Sequence, residues 1–264
     1  MVSDLKKFER NRKTKQLLNT LSQNEDNLVV IHYSCESFYD RDDGRTPRVT
    51  SICVRNFASG QTSSFSIHKI AELKKISNEE IQEKYDILEK EMLKEFFEYM
   101  QTYKNHIWIH WNMRDINYGF QALEHRFRIL KGTPISLEES KKFDLSRALV
   151  ALYGNAYISH PRLQKLMELN HITAQDFLTG SEEAKAFEEK EFVKLHQSTL
   201  RKADVLANIL GRTLDNSLKT NANWRERHGL SWRLILDLFF KHWIKATLAT
   251  VGLISAIITI IQFV

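Results

Sequence analysis

The sequence predicts an α/β fold in which helices flank a mixed β-sheet. Two observations predict it. Three apolar or alternating runs, separated by turn residues, precede a long helical stretch with one apolar face, and a short apolar run and further helices follow. The composition is that of an ordinary folded protein, with 42% hydrophobic and 27% charged residues. Three strands in a meander, a helix, a strand and more helices imply a layered domain with one core.

The first three strands are predicted from apolar runs and turn signals. Residues 28–38 are predicted to be the first strand, because they begin with a Leu, Val and Ile run that is typical of a buried strand. Residues 40–48 are a turn by composition, and residues 49–57 alternate like a second strand. The hairpin signal at 58–60 introduces a third strand at 61–70.

Helical periodicity dominates the remainder. A polar, basic helix is predicted at 2–21 and a helix with one apolar face at 78–102. A short fourth strand at 106–111 precedes a helix at 116–130. The chain from there to about residue 218 is predicted to be helical with loops.

The last nineteen residues, 246–264, carry no charge and are long enough to span a bilayer as a helix. A buried core helix is the alternative. The flank at 221–245 is basic and holds Trp232 and Trp243, as expected of an interfacial segment on the cytoplasmic side. The predicted organisation is a basic helix (1–26), an α/β domain (27–220), a juxtamembrane segment (221–245) and a transmembrane helix (246–264).

This organisation predicts a single-pass protein of the inner (cytoplasmic) membrane whose folded domain lies in the cytoplasm. Gly252 and Ala256 have the small-xxx-small spacing that lets two membrane helices approach, so they are candidates for homo-oligomer contacts. The net charge of +5 fits anionic membrane lipid as a partner and permits nucleic acid without demanding it. Cys35 and Cys53 lie in strand-like runs and are predicted to be buried thiols.

Acidic side chains follow predicted strands and recur on a late helix. The relevant segments are SCES at 34–37, HWNMRD at 110–115 and TLRKAD at 199–204, with a further acid in FDL at 143–145. Their carboxylates are Glu36, Asp115, Asp204 and Asp144. Oxygen ligands of this kind suit Mg²⁺ or Mn²⁺. Each also has a simpler reading, as an ion-pair partner or a helix cap.

The element order and these motifs resemble the DEDD 3′–5′ exonucleases of the ribonuclease-H-like superfamily, over residues 27–210. That family has Asp-x-Glu on the first strand, a His-Asn-x-x-x-Asp type motif after the first long helix, and His or Tyr before a final Asp. Its four carboxylates bind two divalent metals. The resemblance implies Glu36, Asp115, Asp204 and Asp144 as ligands of Mg or Mn. It implies His110 and His196 as catalytic candidates, although His110 also suits a hydrogen-bonded core position.

Two positions depart from the family pattern. Ser34 stands where the family has its first aspartate, and Thr199 stands where the active-site histidine is expected. A neutral hydroxyl is a poor ligand for a hard cation, and a lost general base costs a further factor of about 10² to 10⁴. The expected function is therefore a membrane-tethered, exonuclease-like domain with a weakened site that binds nucleic acid or a nucleotide. The alternatives are an active Mg/Mn-dependent 3′–5′ exonuclease and a membrane-perturbing effector, for example in anti-phage defence.

A loop and a helix face carry the candidate nucleic-acid contacts. The loop at 153–162 mixes aromatic, amide and basic groups, which can stack a base and bind phosphate. An ordinary loop and a solvated helix face are the alternatives. The candidates are Tyr157, His160, Arg162, Lys194, Arg201 and Lys202. Walker, Rossmann, zinc and Ser-His-Asp signatures are not found in the sequence.

Overall fold

The computed structural model describes residues 4–36, 46–114, 117–223 and 243. Its centre is a mixed five-stranded sheet in the order β3-β2-β1-β4-β5. The strands β1 and β2 pair antiparallel, as do β2 and β3, whereas β4 runs parallel to β1 and to β5. The strands are β1 (Leu28–Cys35), β2 (Val49–Asn56), β3 (Thr62–Ser66), β4 (Ile107–His110) and β5 (Lys142–Asp144).

Helices cover both faces of this sheet. Their bounds are α1 (Asp4–Ser22), α2 (Ile67–Leu73), α3 (Tyr85–Thr102), α4 (Phe120–Ile129), α5 (Leu145–Tyr153), α6 (Arg162–Leu169), α7 (Gly180–Glu188) and α8 (Phe192–Leu214). Every residue of β1 is buried, as expected for a central strand covered on both sides. The predicted α/β architecture with a mixed sheet flanked by helices is confirmed.

The alternation of side chains along β1 separates two apolar clusters. Val29, Ile31 and Tyr33 pack in one cluster with residues of α3 and α4, whereas Leu28 and Val30 pack in the other with residues of α1, α5 and α8. Successive side chains of a strand point to opposite faces. The second face of β1 therefore meets α8, and this contact creates the candidate site.

Helix α8 runs antiparallel to β1 across the second face. Near its N-terminal end, Thr199 Oγ1 lies 2.7 Å from Ser34 Oγ. Five residues later, Asp204 reaches Arg55, which pairs with Val30 near the start of β1. The register of α8 on the sheet therefore decides which of its side chains meet the carboxyl end of β1.

Three predicted elements differ from the structure. The helix predicted at 78–102 begins only at Tyr85, after a 3-10 turn at Asn78–Glu80. The third strand ends at Ser66 rather than at residue 70, because Ile67 begins the short helix α2, whose Ile67, Ile70 and Ala71 are buried. The segment around Phe143, predicted to be helical, contributes the short strand β5 before α5 begins at Leu145.

The predicted transmembrane helix, 246–264, and nearly all of the juxtamembrane segment lie outside the described residues. Within the part of the chain that is described, no helix is both long and apolar enough to cross a bilayer.

Candidate functional site

A buried polar network joins the carboxyl end of β1 to α7 and α8. Glu183 Oε1 lies 2.7 Å from Lys202 Nζ and accepts a hydrogen bond of 2.8 Å from Ser198 Oγ. Ser34 Oγ lies 3.1 Å from the same oxygen and 2.7 Å from Thr199 Oγ1. All five residues are buried. A strand and two helices thus converge on one carboxylate.

The ion pair in this network is shielded from water. The side chains of Lys202 and Glu183 are only 8% and 3% exposed, and the Lys202 ammonium also lies 5.3 Å from the centre of the Phe177 ring. A buried charge is tolerated when it is paired and hydrogen-bonded, and it becomes costly when its partner is removed. Lys202 therefore neutralises the one carboxylate of the network.

A cavity of about 440 Å³ adjoins this network. Its size is that of a small-ligand site, and such sites combine apolar walls with a few convergent polar groups. Trp111, Tyr118 and Phe177 supply aromatic walls, while His32, Asn112 and Lys202 supply polar groups. The cavity lies where β1 and β4 end, so the sheet itself positions its polar side chains.

His32 lines the cavity, and its ring nitrogen Nε2 is buried from solvent. The Tyr118 hydroxyl donates to the Tyr33 carbonyl at 3.2 Å and lies 3.4 Å from His32 Nδ1. Since the hydroxyl proton is used on Tyr33, Nδ1–H is the donor to the hydroxyl oxygen, and Nε2 keeps its lone pair. Among the described residues, no hydrogen-bond partner reaches Nε2. Burial first, and the Lys202 charge second, hold the pKa of His32 well below its usual value, so the ring is neutral near pH 7.

A close backbone approach fixes the cavity wall beside β1. The Tyr33 and Tyr118 rings stack with centroids 4.5 Å apart, and the Gly119 N–H donates to the Tyr33 hydroxyl at 2.9 Å. A Cβ at Gly119 would lie 2.7 Å from the Met113 carbonyl carbon and oxygen. Only glycine allows this approach, which holds Tyr118 over His32.

The predicted carboxylates Glu36 and Asp204 lie apart. Glu36 Oε2 accepts from the Arg48 N–H at 3.3 Å just beyond β1, whereas Asp204 Oδ1 lies 3.1 Å from Arg55 Nη1. Arg55 pairs with Val30, six residues before Glu36, a separation of about 20 Å along an extended strand. These two carboxylates therefore do not share a pocket.

Asp144 occupies a third location, at the end of the edge strand β5. Its Oδ1 accepts from the Arg147 N–H at 3.2 Å and so caps α5, and its Oδ2 lies 2.8 Å from Arg114 Nε. Asp115 lies outside the described residues. Within the described ranges, no group of three or more His, Cys, Asp and Glu side chains is placed to hold a metal ion. The Mg or Mn site thus stays a prediction, and the structure does not bring together Glu36, Asp144 and Asp204.

The two predicted catalytic histidines also lie apart. His110, on β4, accepts the Met113 N–H at Nδ1 (3.2 Å), and burial is the main cause that lowers its pKa to about 4. His196, on α8 above β2, lies 2.7 Å from Ser51 Oγ; burial and then nearby His68 lower its pKa to about 4. Both rings are neutral near pH 7, and His110 has its Nδ1 lone pair committed to the backbone.

The predicted nucleic-acid residues fall into different environments. Tyr157 is fully buried beneath the Arg162 guanidinium, so in this structure its ring offers no face to a base. Lys194 pairs with Glu191, the residue just before its helix, Arg201 donates to the Gln175 carbonyl, and His160 is exposed. Of the six candidates, Lys202 is the one that lines the cavity described above.

His32, Glu183 and Tyr118 were missed by sequence reasoning. One signal was available for His32: alternate strand residues share a face, so a functional Ser34 implies His32 beside it. Glu183 and Tyr118 carry no comparable signal, because their positions depend on how α7 and the 117–119 segment pack.

Comparison of the chain with known protein families, with curated proteins and with solved structures finds no match.

Proposed function

We propose that this chain is a membrane-tethered, exonuclease-like module that binds a nucleotide or a nucleic-acid end without hydrolysing it. The ligand occupies the cavity formed by β1, the end of β4 and α8. The observation that carries the proposal is the group of polar side chains that lines this cavity: His32, Asn112 and Lys202, with Glu183 already neutralised.

The facing residues of β1 and α8 differ from the exonuclease motif alignment by a consistent offset of two residues. The family pattern needs an acid-x-acid pair on the first strand to face an acid on the late helix. The residues of β1 and α8 that face each other here are His32, Ser34 and Lys202. They lie two residues before Ser34, Glu36 and Asp204, three positions of the motif alignment. The sheet supports the kinship with exonucleases. It is a meander in which β4 then pairs parallel with β1, and β5 pairs parallel with β4.

The charge of this group disfavours a two-metal mechanism. A pair of divalent cations needs several anionic oxygen ligands. Among the described residues, the cavity instead offers an imidazole, an amide and an ammonium, and its one carboxylate, Glu183, is paired with Lys202 at 2.7 Å. These residues do not fit Mg²⁺ or Mn²⁺, so we derive no hydrolytic step through a metal.

The same group suits a nucleotide. Aromatic rings such as those of Trp111 and Tyr118 provide faces on which a base stacks, worth about 1–3 kcal/mol per base. Lys202 offers N–H donors to a carbonyl or phosphate oxygen, and the Asn112 amide offers both a donor and an acceptor. Apolar walls with both a donor and an acceptor match a molecule that has an aromatic face and polar edges.

Binding is tested with the full chain in detergent micelles and EDTA. Fluorescence anisotropy of a labelled single-stranded oligonucleotide gives the dissociation constant, and unlabelled mononucleotides compete. Trp111→Ala should weaken binding by about 5- to 150-fold. Tyr103→Ala removes a half-buried aromatic ring that does not line the cavity and serves as the matched control. Binding that is absent, or equal in both variants and the parent, contradicts the proposal. The active exonuclease and the membrane effector stay predictions.

A further inference from the structure

Helix α1 presents a basic surface to solvent. It carries six basic residues and two acidic ones. Arg10, Arg12 and Lys13 are exposed, and within the described part of the chain they form no ion pair. Exposed cations that lack acidic partners on their own surface attract an anionic partner.

The opposite side of α1 is fixed to the domain. Asn11 Nδ2 donates to the Leu152 carbonyl at 2.7 Å, which ties α1 to α5. Leu18 and Leu21 are buried in the apolar cluster on the α8 face of the sheet. These contacts hold the charged side chains of α1 in a fixed position relative to the domain.

The end of the folded domain lies on the same face of the sheet. Leu218 and Ala222 are buried in the cluster that contains Leu18 and Leu21. The next residues in the sequence are the predicted juxtamembrane segment, 221–245, and the predicted transmembrane helix, 246–264. The folded domain therefore ends on the side that α1 covers, and we take the predicted bilayer to lie on that side.

We propose that the exposed basic face of α1 docks on the headgroups of an anionic bilayer and so orients the domain on the membrane. A tether raises the local concentration of lipid around α1. Each Lys or Arg near an anionic leaflet is attracted within a Debye length of about 8–10 Å. Nucleic acid offers similar phosphate chemistry but lacks this tether, so lipid is the favoured occupant. This inference rests on the membrane tether of the proposed function and is independent of the ligand cavity.

The test uses the full chain in nanodiscs of phosphatidylcholine, with or without phosphatidylserine. Gln16, an exposed α1 residue, is replaced by cysteine and labelled with a fluorophore that a headgroup nitroxide quenches. Quenching should be strong only with phosphatidylserine and should fall at high salt. The triple variant Arg10→Gln, Arg12→Gln, Lys13→Gln should lower the docking equilibrium on the order of a hundredfold.

The matched control removes three charges from the other face of the sheet. Lys90→Gln, Lys94→Gln, Lys104→Gln alters exposed lysines in and just after α3 and should leave the quenching unchanged. Equal quenching in both lipids, equal loss in both triple variants, or no incorporation into nanodiscs overturns the proposal. If an oligonucleotide binds the labelled surface of α1 and phosphatidylserine causes no quenching, the proposal is overturned in favour of nucleic acid. Oligonucleotide affinity, measured on the same samples, reports separately on the cavity.

Discussion

Replacing Lys202 by methionine should strongly destabilise the domain. Methionine keeps much of the apolar stem of lysine, so the change mainly removes the ammonium and leaves the Glu183 carboxylate buried without its cation. Breaking a buried pair in this way typically costs about 3–5 kcal/mol. For a domain of this size, that corresponds to a fall in melting temperature of roughly 6–20 °C. Thermal unfolding of the full chain in detergent, followed by tryptophan fluorescence, measures it.

Asp204 supplies the control on the same helix. Its pair with Arg55 has side chains 45% and 30% exposed, and exposed pairs contribute about 0–1 kcal/mol. Asp204→Asn should therefore leave the melting temperature nearly unchanged. Adding Glu183→Gln to Lys202→Met should recover much of the loss, because the uncompensated charge disappears. A Lys202→Met variant as stable as Asp204→Asn would refute the buried pair and the register of α8 on which the site depends.

Two further predictions concern protonation and packing. The pKa of His196 is lowered to about 4 from 6.5, so between these values the unfolded chain holds a proton that the folded chain lacks. The free energy of unfolding should fall by about 1.4 kcal/mol per pH unit as the pH drops through this window. The variant His196→Gln should reduce this slope, which denaturant titrations from pH 7 to 4 measure. A slope that His196→Gln leaves unchanged would contradict the burial of the ring beside Ser51. Gly119→Ala should cost about 1–3 kcal/mol, because the new Cβ would overlap the Met113 carbonyl. Gly180→Ala, where a Cβ meets nothing within 4 Å, should change stability by less than about 1 kcal/mol, and equal melting temperatures for the two variants would argue against the close approach.

The sheet was largely predictable because its strands carry local signals. β1 begins with a run of four apolar residues, and β2 and β3 are joined by a hairpin whose turn residues are evident. β5 has no such signal, because three residues show no periodicity and the strand exists only through its pairing with β4. The helix α2 was missed because the apolar residues from Phe65 to Ile70 also fit a strand.

The candidate site was less predictable because it depends on tertiary register. Helix α8 has 23 residues, and its periodicity shows which face is buried but not which turn meets Ser34. A shift of two residues replaces the acidic Asp204 by the basic Lys202 and reverses the charge assigned to the site. The acids of the motifs could be located in the sequence, but their pairing with Arg55, Arg48 and Arg114 could not.

The claim that the cavity binds without hydrolysis is tested most directly by one time course. A labelled single strand is incubated with the full chain and Mn²⁺, and the same sample is followed by anisotropy and by gel electrophoresis. The account predicts binding that persists in EDTA, is weakened by Trp111→Ala, and leaves the strand at full length. Shortening of the strand that requires Mn²⁺ and is abolished by Glu36→Gln or Asp204→Asn would contradict it.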